Sequence, residues 1–329
     1  MMKPLYLFRC VAVAAMLLSI ASCKKEDSKN PVNNNPAQPE EPAQPGGSTG
    51  QVGSYRNSSS EMAVTIPDIY IGAVYEGASI NDLTFKAIEK ALDPIEISYT
   101  FPRYYIDSIE NPSYSSMVES MNAAISSPYF SGKQIESFCA DNCRQFSNYS
   151  ELKLAFGADV DIAKIFNLDE SANSDKIKAK TGLCSRIVQK NFSIIMDYPY
   201  EGNVFANDDD LNAVASTDPV YVNSITYGHM AIVAIESETS FKSLKAAFRA
   251  AITADKIGGE LNISPENKEI LENSTIRVYI TDEAKTFNSI DKFRDFIASL
   301  GEFTAENPGR PIFFTANRVE DDSTFRTSF

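Results

Sequence analysis

An α+β fold with a bent sheet is predicted by three observations. Residues 220–235 are β-branched, aromatic or small and carry few charges, as suits a strand paired on both edges. Gly228 interrupts that run, and a glycine inside a strand pattern marks a bend, a bulge or a close backbone approach. The period then changes: after Glu236-Ser237-Glu238-Thr239, Ser240 caps a helix whose Phe241, Leu244, Phe248, Ala251 and Ile252 share one stripe. That stripe must pack on something, and the sheet is nearest.

From the start of the chain, Lys3 and Arg9 precede an apolar run, 11–18, that is too short to span a bilayer and ends in small residues, so residues 1–22 read as an export signal. Ile20-Ala21-Ser22-Cys23 resembles a bacterial lipobox, which implies a lipid on Cys23; the other reading is an ordinary signal with a chance cysteine. Residues 23–60 hold almost no large apolar side chain and carry prolines at 31, 36, 39, 42 and 45, a composition that cannot bury enough surface to order itself. As a flexible tether of about 35 residues it would hold the folded body roughly 30 to 35 Å from its lipid. The Lys24-Lys25-Glu26-Asp27 run after the cysteine resembles surface-export signals of Bacteroidetes lipoproteins, which implies an outer-membrane lipoprotein exposed at the cell surface.

About 270 residues, 61–329, remain for the folded body, ample for a core. The formal charge of −14 argues against binding phosphate backbones, so nucleic acid is excluded as a partner, and against simple docking on anionic lipid. The chain has a single histidine, His229, which rules out multi-imidazole zinc sites and leaves at most one candidate for a hydrolytic base. Within the 220–235 strand it reads as a satisfied structural histidine. Acidic groups such as Asp159/Asp161 and Asp208-Asp209-Asp210 read as solvated turns, since no calcium-loop spacing or phosphate loop accompanies them. No catalytic residue, metal site or cofactor is expected, and an enzyme is a distant third reading. Of the cysteines, Cys139, Cys143 and Cys184 outlast processing, so at most one internal bridge can form. Two cysteines four apart on one strand lie about 13 Å from each other, beyond disulfide reach, which favours a cross-strand bridge between Cys143 and Cys184. Three unpaired buried thiols are the alternative.

Along the body, residues 62–74 form a short apolar segment with Pro67 and Gly72, and 81–92 reads as a helix capped by Asn81 or Asp82. Residues 95–101 alternate strictly, as a half-buried strand does. Asn111-Pro112 opens a helix with Met117, Val118, Met121 and Ile125 on one side. Residues 137–146 and 183–197 read as strands. Between them, residues 151–162 put Leu152, Leu154, Phe156, Ala158, Val160 and Ile162 on one parity, and Glu151, Lys153, Asp159 and Asp161 on the other. This is a period of two over twelve residues in a helix-friendly composition, and Ile162, Ile165 and Phe166 continue at helical spacing. Residues 275–281 form another alternating strand, at the edge of the sheet or next to it; Ser289 caps a helix ending at Gly301, and 311–319 is a last strand.

PVYVNSITYG at 219–228, with Tyr227 and Gly228 at its end, the acidic Ser/Thr turn and KSLKAAFRAAI at 242–252 resemble the core of the thiol-activated, or cholesterol-dependent, cytolysins. IYIGAV at 69–74 and NPSYSSMVESMNAAI at 111–125 follow the same order. The resemblance implies a bent antiparallel sheet of about four long strands flanked by helical clusters. It also implies that the cluster at 148–183 unfurls into a membrane hairpin in a pore built from copies of the chain or with a longer cytolysin-like companion. A segment that packs as helices in a soluble form and alternates in a barrel needs the double character of 151–162. The membrane-facing candidates are Leu152, Leu154, Phe156, Val160 and Ile162; a plain core helix with chance alternation is the alternative. The second such segment, 253–274, has few apolar positions, and Pro265 interrupts any ladder. Where the family carries a glycine pair as a hinge, this chain has Thr281-Asp282. The family's β-sandwich with its Trp-rich cholesterol loop is expected to be absent, because the sequence ends at Phe329 and contains no tryptophan, so cholesterol recognition is not carried over. A non-lytic adhesin or binding lipoprotein that keeps the scaffold is the second functional expectation.

Overall fold

Two unusually long strands organise the body. The computed structural model describes residues 58–130, 137–140, 143–168, 176–199, 203–255, 263–280, 283–287 and 304–329. All of these belong to the unit Ser54–Phe329, the chain dividing at Gly53. The export signal, Cys23, most of the tether, Thr281-Asp282 and the helix expected after Ser289 lie outside the described residues.

In chain order the elements are β1 (Ser58–Ser59), β2 (Met62–Ala63), β3 (Val74–Glu76), α1 (Gly77–Asn81), β4 (Ile95–Tyr99), β5 (Tyr105–Ile109) and α2 (Tyr114–Ser126). They continue with β6 (Ser137–Ala140), β7 (Arg144–Phe146), α3 (Lys153–Phe156), α4 (Ile162–Ile165), β8 (Thr181–Met196), α5 (Asp208–Val214) and β9 (Pro219–Ser237). The last are α6 (Phe241–Asp255), α7 (Pro265–Glu272), β10 (Thr275–Ile280), β11 (Glu283–Phe287), β12 (Arg310–Arg318) and β13 (Thr327–Ser328).

β8 and β9 pair antiparallel from Thr181↔Ser237 to Ile195↔Ser224. The other strands of the main sheet flank them in shorter pieces. β10 and β12 share the outer edge of β9, β3 pairs with the start of β9 on its other edge beyond the end of β8, and β4, β6 and β7 share the outer edge of β8. β11 covers β10, which makes β10 the penultimate strand on that side. The sheet is thus antiparallel, but among the described strands only β8 and β9 run its length.

Gly228 is a close-approach glycine. A Cβ there would sit 1.9 Å from the Gln189 carbonyl oxygen, and one on Gly309 (φ +88°) would come within 2.8 Å of the Gly228 Cα. The β8–β9 register shifts beside it, with Lys190 opposite Gly228 but Phe192 opposite Tyr227. Asn191 is the extra residue, and its amide donates to the Pro308 carbonyl at 3.1 Å. The shift stacks Phe192 on Tyr227, ring centroids 5.0 Å apart and nearly parallel.

The sheet carries a core on each face. Ile232 and Ala234 of β9 point into a large cluster with Phe156, Tyr279 and Phe314. The alternate residues Ala231, Val233 and Ile235 meet Leu244, Phe248, Ala251 and Ile252 of α6, the predicted stripe. Ser240 accepts from the Ser243 N–H at 3.2 Å and starts that helix as expected. Tyr99 donates to Ser120 of α2 at 2.9 Å, and Ser120 donates to Asp107 at 2.6 Å, which binds α2 to the β4–β5 hairpin.

Two expectations are corrected. The helix predicted at 81–92 does not form: α1 ends at Asn81, and Leu83 and Phe85 beyond it take positive φ, which no helix accommodates. The chain there pairs back on β3: the Glu76 N–H donates to the Lys86 carbonyl at 3.0 Å and the Ile88 N–H to the Val74 carbonyl at 2.9 Å. Phe85 then packs its ring on Tyr75 and Phe314, so long-range pairing overrides local propensity. The Cys143–Cys184 bridge does not form. Arg144 is the residue opposite Cys184, so Cys143 is one step out of register and faces the other side. Cys143 packs in the α6 core and Cys184 against the opposite one.

Candidate functional site

The segment between β7 and β8 folds as short helical pieces over the sheet. Asn148 and Glu151 form a capping box, with the Glu151 carboxylate accepting from the Ser147 and Asn148 N–H groups at 3.1 and 3.0 Å. A 3-10 turn, Tyr149–Leu152, runs into α3, which stops at Gly157 in the left-handed conformation (φ 69°). Asp161 then caps α4, accepting from the Lys164 N–H at 3.0 Å. At its base the segment closes on itself. Asn148 bridges Lys176 and the Ile177 N–H donates to the Ser147 carbonyl at 3.1 Å, an isolated bridge out of register with the β7–β8 pairing.

Four of the five membrane-facing candidates, Leu152, Phe156, Val160 and Ile162, are buried here, together with Ala158. Leu154 is apart from them, 37% exposed. Residues 152 and 156 are one helical turn apart and share a face, whereas 154 falls opposite, so a two-residue period cannot all be buried by a helical backbone. Leu154 instead lines a cleft of about 280 Å³ between α3 and the β7–β8 strands, beside Arg144, Glu151, Cys184 and Arg186.

Contacts from three sides hold the cluster down. Phe156 meets Tyr279 of β10 edge to face at 5.0 Å. Thr327 of β13 donates to the Gly157 carbonyl at 2.6 Å, and the Asp159 N–H donates to the Asn81 carbonyl at 2.8 Å. Tyr149 donates its phenol proton to Glu236 Oε1 at 2.7 Å, and the Arg277 guanidinium pairs with the same oxygen. Burial, and then the bond to Glu236, push the Tyr149 phenol up to about 12. The Lys153–Asp159 ion pair, by contrast, is half-exposed and contributes little.

The second segment lies on the other face. α6 and α7 pack against the core containing Leu271, Ile276 and Val278, while residues 256–262 lie outside the described ones. Pro265, expected to break a ladder, is the first residue of α7, with Ser264 capping it by accepting from the Asn267 N–H at 3.3 Å.

Tyr149, Glu236 and Arg277 escaped the sequence reading. One signal was present: Arg277 puts a charge on the face of β10 that Tyr279 buries, and such a charge needs a partner. His229 departs in a smaller way from the satisfied residue expected, because its Nε2 is buried with no hydrogen-bond partner among the described residues. Burial, then the nearby Arg310, hold its pKa below the ordinary 6.5, so it is neutral at pH 7. Below pH 6.5 the unfolded chain takes up this proton before the folded one does, so its contribution to stability is full above that pH and is lost as pH falls towards the folded pKa. H229Q is expected to flatten the fall in urea midpoint between pH 7 and pH 5; an unchanged slope would show that another group sets it.

A family model described as thiol-activated cytolysin matches residues 106–327. Pneumolysin of Streptococcus pneumoniae is 26% identical over 304 residues, covering 84% of this chain and 63% of that protein. Seeligeriolysin of Listeria seeligeri is 27% identical over 120 residues, 35% of this chain and 22% of the relative. Among solved structures, wild-type pneumolysin has a TM-score of 0.65 at 21% identity over 83% of this chain and 62% of its own. Listeriolysin O has a TM-score of 0.65 at 18% identity, over 83% and 60%. The fold is therefore that of these proteins, and the chain spans less than two thirds of the length of the relatives it matches.

Proposed function

The chain belongs to the thiol-activated cytolysin family, and from that premise we propose that it is a lipid-anchored surface protein that forms, or contributes to, a membrane pore. Cys23 carries the anchor, and the outer membrane is its place. In this reading the 148–176 cluster leaves the sheet and extends β7 and β8 into a hairpin that crosses the bilayer, in a ring of copies or beside a longer companion. One observation carries it: an apolar two-residue alternation over 151–162 is folded helically between two strands already paired at their base. A barrel hairpin needs that alternation, with lipid-facing and lumen-facing side chains in turn, and two strands of about ten residues fit within the segment. The members' pore-forming character also favours a non-enzymatic role, and no residue is assigned to catalysis. Cholesterol, which the family's alternative name suggests, is not assigned as a ligand.

The experiment is dye release from phosphatidylcholine vesicles, with and without cholesterol, by the chain starting at Cys23. The protein is added alone, after light protease nicking, and together with a full-length cytolysin-like homologue. Release in any of these is the expected result; none in all of them leaves the scaffold without a lytic role. The second reading, a surface adhesin on the same scaffold, is favoured by the 253–274 segment. Its α7 is firmly capped and starts at a proline, so it is poorly suited to becoming membrane strands.

A further inference from the structure

We infer that Tyr149, Glu236 and Arg277 form a release pin that holds the first helical cluster to the sheet and lets it go without leaving a bare charge. Resting on the pore-forming reading above, the inference adds what keeps the segment folded beforehand.

The three residues come from three elements, two paired strands and the 3-10 turn that must leave them if the cluster moves. Glu236 stands near the end of β9, 9% exposed. Arg277 is on the neighbouring β10, diagonally placed, since Arg277 lies opposite Ala234 and Glu236 opposite Thr275. Tyr149 is the first residue of the 3-10 turn, where the chain leaves the sheet after Asn148. Both partners converge on one carboxylate oxygen, the phenol at 2.7 Å and the guanidinium beside it.

That sharing makes the contact asymmetric. A hydrogen bond to a charged acceptor in a poorly solvated place is stronger than a neutral one, so it resists loss of the cluster. A buried carboxylate left with no partner would be far costlier. Glu236 avoids that fate, because Arg277 stays with it when Tyr149 departs and both belong to the sheet that remains. At the pin itself, release therefore breaks one hydrogen bond and no ion pair. The Phe146 ring lies 6.2 Å from that of Tyr149, tilted against it.

Hydrogen exchange of the mature chain, read by mass spectrometry without membranes, tests the pin. Tyr149→Phe keeps the ring and removes only the donor. Peptides covering 149–168 are expected to exchange about 10- to 100-fold faster, while those covering β9 and β10 stay as in the wild type. Glu236→Gln deprives Arg277 of its counter-charge and is expected to quicken β10 as well as the cluster. Exchange of 149–168 within twofold of wild type in Tyr149→Phe overturns the pin, as does an equal loosening of the whole sheet. Vesicle release measured on the same samples separates the two ideas. Faster exchange with no release from any variant keeps the pin and removes the pore, and release with unchanged exchange does the reverse.

Discussion

Gly228→Ala is expected to lower the melting temperature by roughly 6–20 °C, because the added methyl has no room that side-chain movement can supply. Its Cβ would lie 1.9 Å from the Gln189 carbonyl oxygen and 3.2 Å from the Lys190 Cα, both backbone atoms of β8. Relief requires β8 and β9 to separate where their register shifts, and that shift sets the Phe192–Tyr227 stack and the Asn191–Pro308 bond. Ordinary overpacking costs about 1–3 kcal/mol; a backbone-to-backbone clash between the two longest strands falls in the exceptional class, at about 3–5 kcal/mol. Gly309 packs on the other side of the same glycine, so β9 has no free side to move towards. Thermal melts followed by circular dichroism check this, and a drop below about 3 °C would mean that the two strands are not locked at this point.

The same glycine shows how far the sequence could be read. A glycine inside a run of strand formers signals a close approach, and the structure supplies the carbonyl it approaches. Elements carried by a local period were legible too: β4, β10 and the stripe of α6 lie where alternation and helical spacing put them. Features set by partners far along the chain were not. Residues 81–92 have the composition of a helix, and what prevents one is pairing with β3 and the fit of Phe85 against Phe314. The cysteine pairing failed for a related reason, since a one-residue offset decides which face a side chain takes and register cannot be read from spacing alone. The candidate segment lay between these cases. Its helical and alternating characters were both visible, but of the partners that hold it Glu236 stands 87 residues from Tyr149 and Arg277 another 41 beyond, with only an out-of-place charge to announce them.

Leu154→Arg is expected to leave the soluble fold intact and to cut vesicle release by roughly 30- to 1000-fold per inserted copy, if the cluster inserts on its two-residue period. Leu154 is the one candidate that the soluble fold does not use: Leu152, Phe156, Val160 and Ile162 are buried, and Leu154 is 37% exposed at the edge of a polar cleft. A charge there is solvated before insertion, so melting temperature and hydrogen exchange are expected to match the wild type. In an extended hairpin, residue 154 shares a face with 152 and 156, and an arginine among them meets hydrocarbon at a cost of about 2–4 kcal/mol near the bilayer centre. Ala163→Arg is the control, because Ala163 is also exposed in the fold but has the lumen-facing parity, where a charge is tolerated. Equal loss of release in both variants would argue that positive charge, and not its facing, is responsible. Unimpaired release by Leu154→Arg would mean that the apolar parity of 151–162 serves only the folded cluster, and that any pore is made from another part of the chain.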